Sequence, residues 1–171
     1  MKVNKNIVIE NARIGFRNFS GEEGKFNPKG RRNFCVFLDN DIAEQLQEDG
    51  WNIRWLAPRE EGDEEQGYMQ VAVSYANIPP KILMVTSGGK TVLNDDTVGM
   101  LDWAEVENVD IIIRPYNWEV NGKGGVKAYV KSMYVTIVED EFSEKYNDIP
   151  LNGPVSGEGF APVSDEEELP F

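Results

Sequence analysis

Hydrophobic and polar residues alternate along this chain in short runs, a pattern that predicts a mostly β structure. The clearest runs cover residues 109–120 and 125–138, which are rich in β-branched and aromatic residues. They flank Asn-Gly-Lys-Gly-Gly, a strong hairpin signal. Further strands are predicted at 7–19, where Gly15 marks a bulge or bend, and at 31–38, 51–56, 68–75, 81–86 and 91–93.

Two short helices interrupt this pattern. Asp41 and Glu44 form a candidate capping box that opens a helix ending at Gly50, and a second helix is predicted over about 97–103. Short strands with one or two helices favour an all-β fold, an OB-fold-like antiparallel barrel. A β-sandwich fits the strand count nearly as well.

The character of the sequence changes after Val138. Residues 152–164 are rich in Gly, Pro, Ser and Asn, and an acidic run follows. Such a segment cannot bury enough apolar surface to order itself. The chain is therefore predicted to consist of a folded domain, residues 1–141, and a disordered, flexible acidic C-terminal tail, residues 142–171.

Charge is distributed very unevenly along the chain. The net charge is −13, but residues 139–171 contain ten acidic residues against one lysine, and residues 60–65 form an acidic loop. Residues 11–32 reverse the sign, with six basic residues against two acidic ones. The overall acidity therefore does not exclude nucleic-acid binding by the folded domain.

The predicted hairpin has two different faces because side chains alternate along a strand. One face is apolar and predicted to be core, with Val109, Ile111, Ile113, Val126, Ala128 and Val130. The other interleaves aromatic rings with cations, namely Arg114, Tyr116, Trp118, Lys127, Tyr129 and Lys131. Single-stranded DNA needs both chemistries, because phosphates attract cations and unpaired bases stack on rings. The alternative is that these rings pack beneath a loop or helix.

The first strand and the loop after it repeat the basic and aromatic composition. Arg13, Arg17 and Phe19 share one parity, and the loop contributes Lys25, Phe26, Lys29, Arg31 and Arg32. These residues complete the predicted DNA-binding set. Its cations would neutralise phosphates, and Phe19, Phe26, Tyr116, Trp118 and Tyr129 are the candidates for stacking. No recognition helix for groove reading is evident.

Catalytic and metal chemistry find little support. The chain has no histidine and only one cysteine, a composition that excludes ordinary zinc sites. The cysteine, Cys35, is predicted to be a buried thiol. The segment 87–91 resembles the end of a P-loop, but Met84 replaces the required glycine. Asp39 and Asp41 suggest a calcium loop that the following residues break. We therefore expect no metal, no other cofactor and no enzymatic activity.

The chain also shows no secretory signal and no apolar run of membrane-spanning length. A cytoplasmic protein without membrane partners is expected.

The last seven residues form a specific motif: Asp165, Glu166, Glu167, Glu168, Leu169, Pro170 and Phe171. A flexible linker gives reach, acids attract basic surfaces, and a terminal ring with its carboxylate can enter a small pocket. This predicts a partner-binding tail, whereas a tail that only confers solubility has no need of the Leu-Pro-Phe end.

With this tail, the chain resembles the single-stranded DNA-binding proteins. Bacterial members end in acids followed by an Ile-Pro-Phe-like tip, whereas the body is more similar to bacteriophage proteins, including the T7 type. Residues 26–34 and the Arg114-Pro115-Tyr116-x-Trp118 segment contribute to that likeness.

The resemblance implies an OB-fold protein that binds and protects single-stranded DNA in phage replication, recombination or repair. It also implies that the tail recruits a polymerase, helicase, nuclease or recombinase. Homo-oligomerisation, site size, preference for DNA over RNA and autoinhibition by the tail stay open. The main alternative is an acidic DNA mimic that inhibits a host nuclease or restriction enzyme, and a metal-carboxylate nuclease is a weaker one.

Overall fold

A computed structural model of the protein describes residues 3–25, 27–76 and 78–139. They form nine strands: β1 (Ile7–Ile9), β2 (Arg13–Asn18), β3 (Arg32–Phe37), β4 (Arg54–Leu56), β5 (Gln66–Val73), β6 (Lys81–Thr86), β7 (Gly89–Leu93), β8 (Val106–Val120) and β9 (Lys123–Ile137). The helix α1 spans Asn40–Asp49, and a 3₁₀ helix spans Val98–Asp102. The predicted all-β class with short helices is confirmed.

One sheet joins all nine strands, and its main path runs β1-β8-β9-β5-β3-β2. The two ends of this path, β1 and β2, are separated in sequence by only three residues, 10–12, so the sheet curls back towards itself. It is not closed, however, and two of its pairings are parallel, β5 with β9 and β6 with β9. The OB-like architecture is therefore open and mixed where a purely antiparallel barrel was expected.

The inner side of the sheet forms the core, as the alternation of residues predicts. Ile111 and Ile113 of β8 are buried, as are Ala128 and Val130 of β9. Phe34 and Val36 of β3, with Val71 and Val73 of β5, extend this core, and a bulge at Lys131 interrupts the pairing of β8 with β9. The side chains on the outer side of the same strands are therefore available for contacts outside the core.

The helix α1 begins two residues before the position that the predicted capping box gives. Asp39 is its N-cap and makes no side-chain capping hydrogen bond, so the capping box at Asp41 and Glu44 is wrong. The predicted end at Gly50 is confirmed. Gly50 adopts φ 112°, the left-handed conformation that terminates helices most readily at glycine.

A bulge in β2 overturns the predicted parity of the first strand. The register shifts between Gly15 and Asn18, and Phe16 has a positive φ of 48°. Beyond this point the alternation reverses: Phe16 is exposed, whereas Phe19 is fully buried and stacks on Phe34 with 4.9 Å between ring centroids.

Some predictions lie outside the described residues, namely Phe26 and the acidic tail, residues 142–171, with its terminal motif. The boundary between domain and tail at 141/142 therefore stays a prediction. Within the described ranges, no helix is long and apolar enough to cross a membrane, and no cluster of three or more acidic or cysteine side chains could hold a metal ion.

Candidate nucleic-acid interface

The outer face of the β8–β9 hairpin brings together the aromatic and cationic residues predicted for it. Arg114 pairs with Tyr129, and Tyr116 pairs with Lys127, so these four side chains stand on one face. Tyr116 is 52% exposed and Trp118 is 41% exposed. Both rings are therefore accessible to a ligand, unlike the core side chains of the same strands.

Tyr129 is the centre of a cluster. The guanidinium carbon of Arg114 lies 4.8 Å from its ring centroid, and the Lys127 ammonium lies 5.2 Å away. The Tyr116 ring meets it edge-on, with centroids 6.0 Å apart and planes at 87°. Because three neighbours already engage this half-buried ring, its main effect is to hold two cations in place.

Trp118 depends on the glycine opposite it in the hairpin. It pairs with Gly125, and a Cβ atom built on that glycine would lie 2.9 Å from a carbon of the indole ring. This is too close for any side chain, so Gly125 lets the indole lie against the backbone of β9. The Gly-Gly sequence of the hairpin thus sets the position of the exposed ring as well as the turn.

A groove opens beside Trp118, where β5 and β9 diverge. Only two residue pairs, Val71 with Ala128 and Ala72 with Tyr129, join these strands. The groove has a volume of about 270 Å³ and combines polar groups with an aromatic wall. The residues that line it are Asn27, Arg31, Asn33, Trp51, Asn52, Met69, Gln70, Ala72, Trp118, Val126, Lys127 and Ala128.

The loop between β2 and β3 is organised by Asn27. Its side-chain amide donates to the carbonyl oxygens of Glu22 at 2.9 Å and Arg31 at 3.0 Å. Its Oδ1 accepts a hydrogen bond of 2.8 Å from Asn33 on β3. These bonds tie the basic loop to the sheet, so its cations are presented from a preorganised backbone.

The predicted DNA-binding residues fall into three groups in the structure. Arg31, Trp118 and Lys127 meet in the groove, and Arg114, Tyr116 and Tyr129 adjoin it on the hairpin face. Four exposed cations lie further out: Arg13 on β2, Lys25 and Lys29 in the loop, and Lys131 at the bulge of β9. Three others are engaged within the fold: Arg17, Phe19 and Arg32.

Because of the bulge in β2, Arg17 and Phe19 make structural contacts in place of the DNA contacts predicted for them. The Nη1 atom of Arg17 donates to the carbonyl oxygens of Leu101 and Ala104, both at 2.8 Å, so this cation fastens the 3₁₀ helix to the sheet. The backbone N–H of Phe19 donates to the Asp102 carboxylate at 2.6 Å, and its ring is in the core. A base cannot stack on that ring.

Arg32 is also largely committed to the fold. Its Nη2 donates to the carbonyl oxygen of Asp95 at 2.9 Å, and its guanidinium carbon lies 5.7 Å from the Tyr75 ring centroid. Burial raises the pKa of the Tyr75 hydroxyl, and the nearby Arg32 partly opposes that shift. This arrangement suits a structural contact better than a phosphate contact.

Several groove residues carried no signal in the sequence. Asn33, Asn52 and Gln70 supply amide groups to the groove, but an isolated amide on a strand looks like any solvent-facing residue. Only the divergence of β5 from β9, a non-local feature, brings them together. Cys35 is a free, buried thiol as predicted, and burial raises its pKa.

The comparison with known protein families decides the identity of the chain. Residues 1–165 match the family model described as "Putative phage ssDNA-binding domain". The chain belongs to this family. That membership confirms the resemblance to phage single-stranded DNA-binding proteins, and it does not support the alternative of an acidic DNA mimic.

Solved structures show the same fold at low sequence identity. The single-stranded DNA-binding protein from bacteriophage Enc34 in complex with ssDNA superposes with a TM-score of 0.53 at 13% identity, covering 80% of this chain and 89% of that one. The Enc34 protein without DNA gives a TM-score of 0.50 at 13% identity, covering 82% and 89%. No curated protein matches the sequence of the chain significantly.

Proposed function

We propose that this protein binds single-stranded DNA along the hairpin face and the adjoining groove, without sequence preference and without catalysing a reaction. The observation that carries the proposal is the convergence of Trp118, Lys127 and Arg31 on one groove in a member of this phage family. A basic groove with exposed rings suits a flexible polyanion with unpaired bases.

Each group has a distinct part in this proposal. Trp118 and Tyr116 offer accessible rings for base stacking, whereas Tyr129 holds Arg114 and Lys127 ready for phosphates. Amides from Asn33 and Gln70 can hydrogen-bond to sugars, phosphates or base edges. Because stacking and phosphate contacts tolerate any base, the bound strand is coated without reading its sequence.

The finer role we propose is protection of single-stranded DNA in phage replication, recombination or repair, with the acidic tail recruiting partner proteins. The composition of the tail supports this, because an acidic run that ends in Leu-Pro-Phe suits a basic surface with a small pocket.

Titration of the full-length protein with oligo-dT tests the binding proposal. Binding should quench tryptophan fluorescence, and added salt should reverse the quenching, because bulk salt reduces the free energy gained when binding releases counterions from the DNA. A protein that shows neither quenching nor any salt-sensitive retention of labelled oligo-dT would refute the proposal.

The recruiting role of the tail has its own test. Deleting residues 165–171 should abolish binding to a purified phage polymerase or helicase while oligo-dT affinity persists. Retained partner binding by the deletion variant would overturn this part of the proposal.

A further inference from the structure

A second array of rings and cations crosses the outer face of the sheet, away from the hairpin. Arg13 on β2 pairs with Phe37 on β3, Phe37 pairs with Tyr68 on β5, and Tyr68 pairs with Arg54 on β4. Paired residues in neighbouring strands point to the same face. The four side chains therefore form one row, Arg-Phe-Tyr-Arg, about 14 Å long at the usual strand spacing.

Phe16 adds a third ring to this row. Its centroid lies 5.9 Å from that of Phe37, which in turn lies 6.3 Å from that of Tyr68. The Phe37 ring rests on the sheet over Gly15, where a Cβ atom would come within 2.6 Å of it. Phe16, Phe37 and Tyr68 thus make a continuous aromatic strip, which we name the second platform together with Arg13 and Arg54.

A strained backbone conformation presents the Phe16 ring to solvent. The residue is 66% exposed, yet its φ of 48° is a left-handed conformation that bulky side chains rarely adopt. The contacts that follow the bulge offset this strain, because the reversed alternation turns Phe19 into the core. The Phe16 ring itself gains little from burial, so it is accessible to a ligand.

We infer that the second platform binds further nucleotides of the same DNA strand, with bases on its three rings and phosphates at Arg13 and Arg54. This rests on the proposed function and extends it. Gln70 lines the groove and pairs with Cys35, which is two residues before Phe37 on the same outer face. The platform therefore continues the groove across the sheet.

The charges around the platform fit a nucleic-acid strand. Arg13 and Arg54 stand exposed at its two ends. The acidic loop, residues 60–65, joins β4 to β5 beyond the pair formed by Leu56 and Gln66, two residues along the strands from Arg54 and Tyr68. Its repulsion would limit the DNA path on that side of the row and keep the strand on the row.

The length of the oligonucleotide distinguishes this platform from the groove. We would measure the Kd of oligo-dT from about 4 to about 16 nucleotides, the range of site sizes on one OB fold. The variants are Phe16→Gly, Arg54→Gln and, as a matched control, Val92→Ser, which alters an exposed apolar residue on β7. Glycine accepts a positive φ, so Phe16→Gly should keep or raise the melting temperature.

For Phe16→Gly we expect wild-type affinity for the shortest oligomers and about tenfold weaker binding of the longest, which is the loss of roughly one stacked base. Arg54→Gln should likewise weaken binding of the longest oligomers only, and that binding should depend less on salt because one phosphate contact is lost. Val92→Ser should match wild type at every length. Equal affinity of the Phe16→Gly and wild-type proteins at all lengths would overturn the inference and would leave a protein-docking strip as the remaining use. Failure of wild type itself to bind oligo-dT would instead refute the proposed function.

Discussion

The hairpin β8–β9 and the strand β2 carry the same alternation of cations and rings, but only the hairpin displays it on the surface. In the hairpin, Tyr116 and Trp118 are exposed as the period-two pattern predicts. In β2, the bulge at Phe16 reverses the alternation, so Phe19 enters the core and Arg17 binds backbone carbonyls. One irregular residue thus moves Arg17 and Phe19 from the predicted binding face into structural contacts and exposes the ring of Phe16.

The two regions also differ in how their cations are held. On the hairpin, Arg114 and Lys127 lie over the ring of Tyr129, and these cation–π contacts hold the two cations in position. Arg17 uses its guanidinium on the carbonyl oxygens of Leu101 and Ala104. Composition is the same in both cases, but only the first arrangement keeps charge available for phosphate.

The largest effect that separates the two regions is on stability. Phe19→Ala removes a fully buried ring and should lower the free energy of unfolding by about 3–5 kcal/mol. Urea denaturation followed by circular dichroism measures this. Tyr116→Ala, on the hairpin, is the matched control and should cost less than about 1 kcal/mol, since its ring is half exposed. Equal losses in the two variants would contradict the reversal of parity in β2.

The next effect concerns the position of Trp118. Gly125→Ala places a Cβ atom against the indole and should turn the ring out of the groove, weakening oligo-dT binding by about fivefold, part of the value of one stacked base. Gly24→Ala is the control, because no atom lies within 4 Å of the added Cβ. Fluorescence titration gives both affinities. Unchanged affinity of the Gly125→Ala protein would show that the indole need not lie where it does.

The smallest effect is a difference in salt dependence. Lys127→Gln should remove one phosphate contact and reduce the slope of log K against log salt by about 0.7. Arg17→Gln should leave that slope unchanged and lower the melting temperature instead, because it loses two backbone hydrogen bonds. A reduced slope for Arg17→Gln would return this residue to the DNA-binding set.

Much of the fold could be predicted because its signals are local. The alternation in 109–113 and 126–130 fixes the core face of the hairpin, and Gly50 marks the end of α1. The parallel pairing of β5 and β9 could not be predicted, because neither strand contains a signal for its partner. The groove depends on this pairing, so the sequence carried no signal for Asn33 and Gln70, whereas the strand alternation had already singled out Trp118 and Lys127.

The bulge shows a different limit of sequence reasoning. Gly15 did indicate an irregularity in β2, but the residue that takes the positive φ is Phe16, against its intrinsic preference. Which side of the bulge faces inward is decided by tertiary contacts, here the stacking of Phe19 on Phe34 and the bond to Asp102. A glycine can reveal that a strand bends, but the parity after the bend depends on the core.

The most direct test of a DNA interface at the hairpin is an oligo-dT titration of wild type, Trp118→Ala and Trp103→Ala. Trp103 is 82% exposed but does not line the groove, so its removal controls for the loss of an accessible indole. We predict salt-reversible quenching in wild type and wild-type affinity for Trp103→Ala. Trp118→Ala should bind about tenfold more weakly or worse, as expected for a lost stacking platform. Wild-type affinity of the Trp118→Ala protein would contradict the assignment of the hairpin and its groove as the DNA interface.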